Sequence, residues 1–270
     1  MIHPMDPRVL RETTELTEFL SGRFCENMRT DLVAICQDER IRVITDDYRQ
    51  AFDGMLVYEN PFFYIHLNSA RGNGENSRRG RFTLGHELGH FFLQSHNHGI
   101  RTGTIPMHAS NTAVMHDDRM EAEADNFSSS LLMPRSRLRA LTGGRKFSLD
   151  IIKELSATFD VSLTAAVLRF AQVGTHEIMI VASRNGVVEW SFRSPEFPKV
   201  PNKFKKGGPV PSSTVAGEAF FKENARYTSI EQVDFEDWFE FKTWKPPYPL
   251  YEQCFYSDIY NCVTSVIWFK

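Results

Sequence analysis

The 270-residue chain has no apolar run approaching the roughly 18–20 residues that a membrane-spanning helix requires. Its longest apolar stretches, such as Ile178 to Ala182, are short. The opening residues, Met1-Ile2-His3-Pro4-Met5-Asp6-Pro7, show neither a basic n-region nor an apolar h-region, so the expectation is a cytoplasmic protein with no membrane attachment. Cysteine is scarce. The four residues Cys25, Cys36, Cys254 and Cys262 stand singly, with no C-x-x-C, and are expected as free thiols. Charge of one sign is also missing. Lys plus Arg is 31 and Asp plus Glu is 34, a net charge of −3, which gives no electrostatic footprint for non-specific nucleic-acid binding. Internal repeats and low-complexity tracts are absent.

What is present is globular. Hydrophobic residues make up 41% and charged residues 24%, and the length suits one large domain or two smaller ones. Aromatics reach 13%, with 22 Phe, pointing to large packing residues or a surface that grips peptide. Helical spacing of Leu16, Phe19, Leu20 and Phe24 predicts a helix from Leu10 to Met28. Short strands are predicted at Leu32 to Ile35, Ile41 to Ile44, Met55 to Tyr58 and Phe62 to Leu67. In the last, Phe63, Ile65 and Leu67 share one face and Phe62, Tyr64 and His66 the other. Arg71 to Gly80 and Gly99 to His116 read as loops. Helices are predicted at Phe82 to Leu93, at Asp117 to Leu132 (stopped by Pro134), and as a pair at Leu149 to Phe159 and Ser162 to Ala171 with Ser162 as N-cap. Asn185-Gly186 between two β-prone runs predicts a hairpin. A long loop then leads through a short helix at Thr214 to Phe221 into an aromatic, β-prone tail. That tail's Trp238, Trp244, Tyr248 and Tyr251 are expected in a core. A domain boundary is placed near Gly174.

The informative stretch is His86-Glu87-Leu88-Gly89-His90, an H-E-x-x-H motif on a predicted helix. At about 100° per residue the two imidazoles leave the helix about 40° apart and one turn along, so both reach one small ion. Glu87, rotated about 100°, can face the same cleft without ligating. Two neutral nitrogen ligands with a carboxylate beside the ion is the arrangement a zinc hydrolase needs. Gly85 and Gly89 lie one turn apart on one face and permit a close backbone neighbour.

A third ligand is required, and two candidates compete. His96 completes H-E-x-x-H-x-x-L-x-x-H, the metzincin spacing, but Leu93 stands where that pattern has glycine. Leu93 is expected to continue the helix, leaving His96 pointing away. Glu121 shares a helix face with Asp125, so Glu121 can ligate while Asp125 accepts a hydrogen bond from a ligand imidazole. Glu123, about 200° from Glu121, is expected to face away as a solvated carboxylate.

The segments Arg81-Phe82-Thr83-Leu84-Gly85-His86-Glu87-Leu88-Gly89-His90, Glu121-Ala122-Glu123-Ala124-Asp125-Asn126-Phe127 and Leu131-Leu132-Met133-Pro134 resemble the ImmA/IrrE family of zinc metallopeptidases. The likeness runs roughly from Leu32 to Ala171. It implies one Zn2+ per chain, held by His86, His90 and Glu121. The expected fold is α+β: the likeness implies a zincin-like peptidase core with a small mixed sheet and metal-bearing helix (1–134) and a helix-turn-helix-like helical segment (135–174), and beyond its reach the hairpin signal and β-prone tail give a C-terminal β-rich α+β domain (175–270). The last is expected to be regulatory or sensor-like. Family members cleave repressors of the helix-turn-helix type and so act in transcription regulation and stress response.

The expected function is therefore a zinc metallo-endopeptidase acting on a helix-turn-helix repressor, through a zinc-activated water with Glu87 as general base. His96 and His98, then Tyr64, His108 and His116, are candidates for oxyanion or substrate contacts. Phe62 to Leu67 is the candidate edge strand for an extended substrate, with Tyr64 and His66 lining the cleft. The predicted second helix of the pair offers Arg169 as its one basic residue, which argues against direct DNA binding. Arg135, Arg137, Arg139, Arg145 and Lys146 form a local basic patch upstream. The rival reading is a metal-containing regulatory module that acts by contact with a repressor or DNA, without proteolysis.

Overall fold

In a computed structural model the described residues are 6–74, 76–105, 110, 118–219, 227–240, 248–257 and 262–269. The chain forms two compact units, 1–140 with 154–166, and 141–153 with 167–270.

The first unit opens with α1 (Pro7–Arg23), started by Pro7 and by the Asp6 carboxylate, which accepts from the Arg8 amide. Its buried face is Thr13, Thr17, Leu20 and Ser21, whereas Phe19 is exposed. This differs from the expected apolar stripe. Small hydroxyl residues, with Thr17 Oγ1 satisfied on the Thr13 carbonyl, let the helix pack closely. The strands β1 (Cys25–Glu26) and β2 (Arg29–Thr30) form a short ribbon. Residues 32–38 are not a strand but the helix α2 (Leu32–Asp38). The Asp31 carboxylate caps it through the Ala34 amide, and burial falls on Leu32, Ile35 and Cys36, at helical spacing. Four apolar residues in a row fit either period, and the cap settles the matter.

A three-stranded sheet follows, built from β3 (Arg42–Asp46), β4 (Gly54–Glu59) and β5 (Phe62–Asn68) in the order β3-β5-β4. The β3–β5 pair is parallel and the β4–β5 pair antiparallel. The expected edge strand, β5, is thus the central one, and β4 lies at an edge. Phe63, Ile65 and Leu67 are buried on one face of β5, and the Phe63 ring meets Phe91 edge-on at 5.0 Å. The glycine-rich segment after β5 is not loose. The fully buried Asp53 carboxylate accepts from Arg71 Nε at 3.0 Å, Asn73 Nδ2 at 2.9 Å and Arg79 Nη2 at 2.9 Å.

Ser77 then caps α3 (Arg78–Phe92) through the Gly80 amide. The helix ends at Leu93, whose backbone is extended (φ −71°, ψ 115°), and the chain turns into α4 (Gln94–Thr102). The expectation that Leu93 carries the helix onward is corrected here. So is the loop predicted from Gly99, since helix persists to Thr102 and stops at Gly103 with φ +71°. Next come α5 (Arg119–Leu132), capped by Asp118, and α6 (Arg135–Thr142) after Pro134. The pair α7 (Leu149–Phe159) and α8 (Leu163–Val173) follows, with Ser162 Oγ accepting from the Ala165 amide. Arg169 on α8 is buried, at 7% exposure, which removes the one basic side chain of that helix from its surface.

The second unit carries an antiparallel sheet in the order β7-β6-β10-β9-β8. Its members are β6 (Ile178–Arg184), β7 (Val187–Arg193), β8 (Glu231–Val233), β9 (Leu250–Ser257) and β10 (Cys262–Phe269), with the short helices α9 (Val215–Ala219) and α10 (Phe235–Trp238). Asn185 and Gly186 turn the β6–β7 hairpin, both at positive φ. Trp238 lies in the core, Tyr251 stacks on Trp268 at 6.0 Å, and Tyr248 is 59% exposed, contrary to the core placement expected for it. Trp244 lies outside the described residues. All four cysteines are free. The fully buried Glu252 carboxylate is satisfied by Trp238 Nε1, Ser265 Oγ and the Val215 and Ala216 amides. Burial nonetheless raises its pKa above the ordinary carboxylate value.

Candidate metal centre

Two glycines set the distance between α3 and α5. A Cβ on Gly89 would meet Ala124 Cα and Phe127 Cβ at 3.1 Å, and one on Gly85 would meet Ser128 Oγ at 2.6 Å. Bare helix backbone on α3 therefore faces α5, and the ring of Phe127 stacks on Phe92 at 5.7 Å. This approach brings Glu121, on the first turn of α5, to the imidazoles of α3.

His86, His90 and Glu121 converge in a buried group whose ligand atoms all lie within 4.8 Å of one another. The two Nε2 atoms are 3.1 Å apart. Glu121 Oε2 is 3.3 Å from His86 Nε2, and Oε1 is 3.3 Å from His90 Nε2. Zinc bonds of about 2.0–2.1 Å in a tetrahedron place ligand atoms about 3.3 Å apart. The three side chains therefore fit a tetrahedral ion with one position left over.

On the far side of the ring, His86 Nδ1 donates to Asp125 Oδ1 at 2.8 Å, leaving Nε2 to present its lone pair to an ion. Burial by itself would lower the His86 pKa, but the hydrogen bonds to Asp125 and Glu121 outweigh it and raise the value to about 10.

His96 does not join the ligand set. The turn at Leu93 brings its ring back onto the opposite edge of His90, Nδ1 to Nδ1 at 3.1 Å. Its Nε2 lies 3.3 Å from Glu123 Oε2, and Arg119 Nε donates to Glu123 Oε1 at 2.8 Å. His96 is 3% exposed, and burial, with His90 second, pushes its pKa down to about 4. Glu123 is 5% exposed rather than solvated, with the His96 ring and the Arg119 guanidinium against its two carboxylate oxygens. Sequence reasoning missed this contact. The H-x-x-x-x-x-H spacing held the signal, but only with a turn after Phe92.

Glu87 is buried at 1% exposure, against the start of β4. A Cβ on Gly54 would lie 2.7 Å from Glu87 Oε1. Tyr64 stands on the face of β5 turned away from α3, where the Arg42 guanidinium sits 5.8 Å from its ring centre. His66 shares that face and bonds Tyr48 Oη at 2.7 Å. Neither lines the His86–His90–Glu121 group, since alternate residues of a strand point to opposite faces. His98 is exposed on α4. His108 and His116 lie outside the described residues.

The profile of the IrrE N-terminal-like domain family (Peptidase_M78) matches residues 36–171, half of the chain. Metallopeptidase ImmA of Bacillus subtilis (strain 168) is 28% identical over 144 residues, covering 52% of this chain and 75% of its own length. A solved structure titled as a Mycobacterium tuberculosis transcriptional regulator matches with a TM-score of 0.62 at 11% identity, over 98% of this chain and 77% of that one. That likeness concerns the α+β fold. The chain belongs to the ImmA/IrrE family of metallopeptidases. Among the described residues no helix is long and apolar enough to cross a membrane.

Proposed function

We propose that the protein is a zinc-dependent endopeptidase that cleaves a transcriptional repressor of the helix-turn-helix type. The observation that carries the catalytic reading is the set of distances among His86 Nε2, His90 Nε2 and the Glu121 carboxylate, 3.1, 3.3 and 3.3 Å, in a buried place. The substrate class is carried by the family resemblance alone. The cytoplasm, where such a repressor works, is the corresponding location.

When bound there, a zinc ion supplies Lewis-acid polarisation of the scissile carbonyl and acidifies a coordinated water. Asp125 holds His86 in the tautomer that can ligate. Glu87, on the same helix but not in the ligand set, is the proton carrier: it takes a proton from the attacking water and returns it to the leaving amine. Its burial keeps competing bulk water from the carboxylate. β4 is the candidate strand for an extended substrate. It lies at the sheet edge and begins beside Glu87. Ser110 pairs with Gly54, and among the described residues nothing pairs with the outer edge of Met55 to Glu59.

The test incubates the zinc-loaded protein and its Glu87→Gln variant with a helix-turn-helix repressor encoded beside it. Cleavage at one site by the parent and none by the variant is the expected result. A parent loaded with zinc that leaves the repressor intact while binding it would favour the non-proteolytic regulatory reading.

A further inference from the structure

The two imidazole ligands are backed differently. His86 Nδ1 donates directly to a carboxylate, Asp125. His90 Nδ1 meets another imidazole nitrogen, His96 Nδ1, at 3.1 Å. A hydrogen bond between two such nitrogens holds a single proton, so one ring donates and the other accepts. If His90 is to offer a lone pair at Nε2, its proton is on Nδ1 and His96 must accept. His96 then carries its own proton on Nε2, which points at Glu123 Oε2. The reverse arrangement would press the His96 Nε2 lone pair against the carboxylate. Arg119 Nε, donating to the other oxygen, holds the Glu123 carboxylate in place.

We propose that His96 is a positioning residue for the metal centre, accepting the His90 Nδ1 proton and so keeping His90 Nε2 free to ligate, with Glu123 setting the direction of that bond. The inference rests on the metal-centre reading above and adds to it a three-residue chain, His90 to His96 to Glu123, that neither the motif nor the ligand set contains. Partners behind metal-bound imidazoles commonly govern affinity by 10–100-fold.

Three variants separate this role from packing. His96→Leu keeps much of the volume and removes the acceptor. In His96→Asn the amide oxygen takes the place of Nδ1 and accepts again. Glu123→Gln is nearly isosteric. Arg119 selects the amide oxygen, so the amide NH2 faces His96 Nε2 and reverses the chain of protons. Zinc affinity is read by competition with a chromophoric chelator, and site geometry by the visible absorption of the Co2+-substituted protein. His96→Leu and Glu123→Gln are expected to bind zinc 10–100-fold more weakly, with altered Co2+ bands, and His96→Asn to recover most of the loss. Because Glu123→Gln barely changes shape, it decides the matter even if His96→Leu folds poorly. Parental affinity and parental Co2+ bands in Glu123→Gln would overturn the proposal, as would a His96→Asn loss equal to that of His96→Leu. A parent that binds no zinc, or binds it no better than His86→Ala, would instead overturn the metal-centre reading itself.

Discussion

The Cβ that Gly89 lacks would stand 3.1 Å from the Cα of Ala124, so the absence of a side chain on α3 sets how near α5 can come. Glu121 is brought to His86 and His90 by that approach. Gly89→Val should cost about 1–3 kcal/mol through overpacking and weaken zinc binding at least tenfold. Thermal denaturation with and without zinc, together with a chelator titration, checks both. A destabilised variant with parental zinc affinity would mean that helix spacing does not govern the ligand geometry.

Gly54 plays the corresponding part for Glu87. A methyl group there would lie 2.7 Å from Glu87 Oε1 and 2.5 Å from Thr83 Cγ2, so one of them must move. Misplacement of a catalytic group by about 1 Å can cost about 10²-fold in rate. Gly54→Ala is therefore expected to lower kcat for repressor cleavage by about that factor while zinc content stays at the parental level. Unchanged turnover would show that the carboxylate can work from elsewhere.

Glu87→Gln keeps the shape of the site and removes the proposed proton carrier. Cleavage should fall by roughly 10²–10⁴-fold with metal content unaltered. A variant that cleaved at the parental rate would assign the proton transfers to another group.

The ion-free protein should respond to pH through His86. Its pKa rises from the ordinary 6.5 to about 10 in the folded protein. A raised pKa means that the folded state holds the proton more tightly than the unfolded chain. The resulting stability is complete below pH 6.5 and is lost as pH climbs towards 10. Denaturant titrations of chelator-treated protein should show this decline. Zinc must displace the same proton, so binding at pH 8 should release it, and affinity should increase with pH across that window. Calorimetry in two buffers of different ionisation enthalpy measures the release, and a value of zero would contradict the assignment.

Much of the centre was legible in the sequence because helices repeat at a fixed angle. The spacing of His86 and His90, the shared face of Gly85 and Gly89, and the pairing of Glu121 with Asp125 all follow from about 100° per residue. The hairpin at Asn185-Gly186 was legible because two successive positive φ values favour those residues. What escaped depends on where the chain turns and on what covers it afterwards. Leu93 gives no helix-stop signal, yet the turn there carries His96 back to His90 and to Glu123. Strand order was equally hidden. Alternation in Phe62 to Leu67 describes two faces but not which neighbours flank the strand, so it does not distinguish a central strand from an edge. Leu32 to Ile35 satisfies both periods, and only the Asp31 cap distinguishes them.

The most direct test is anomalous diffraction at the zinc absorption edge from crystals of the zinc-loaded protein. One anomalous peak per chain is expected, about 2.0–2.2 Å from His86 Nε2, His90 Nε2 and a Glu121 oxygen. No peak among these three side chains at saturating zinc, or a peak held by other residues, would contradict it.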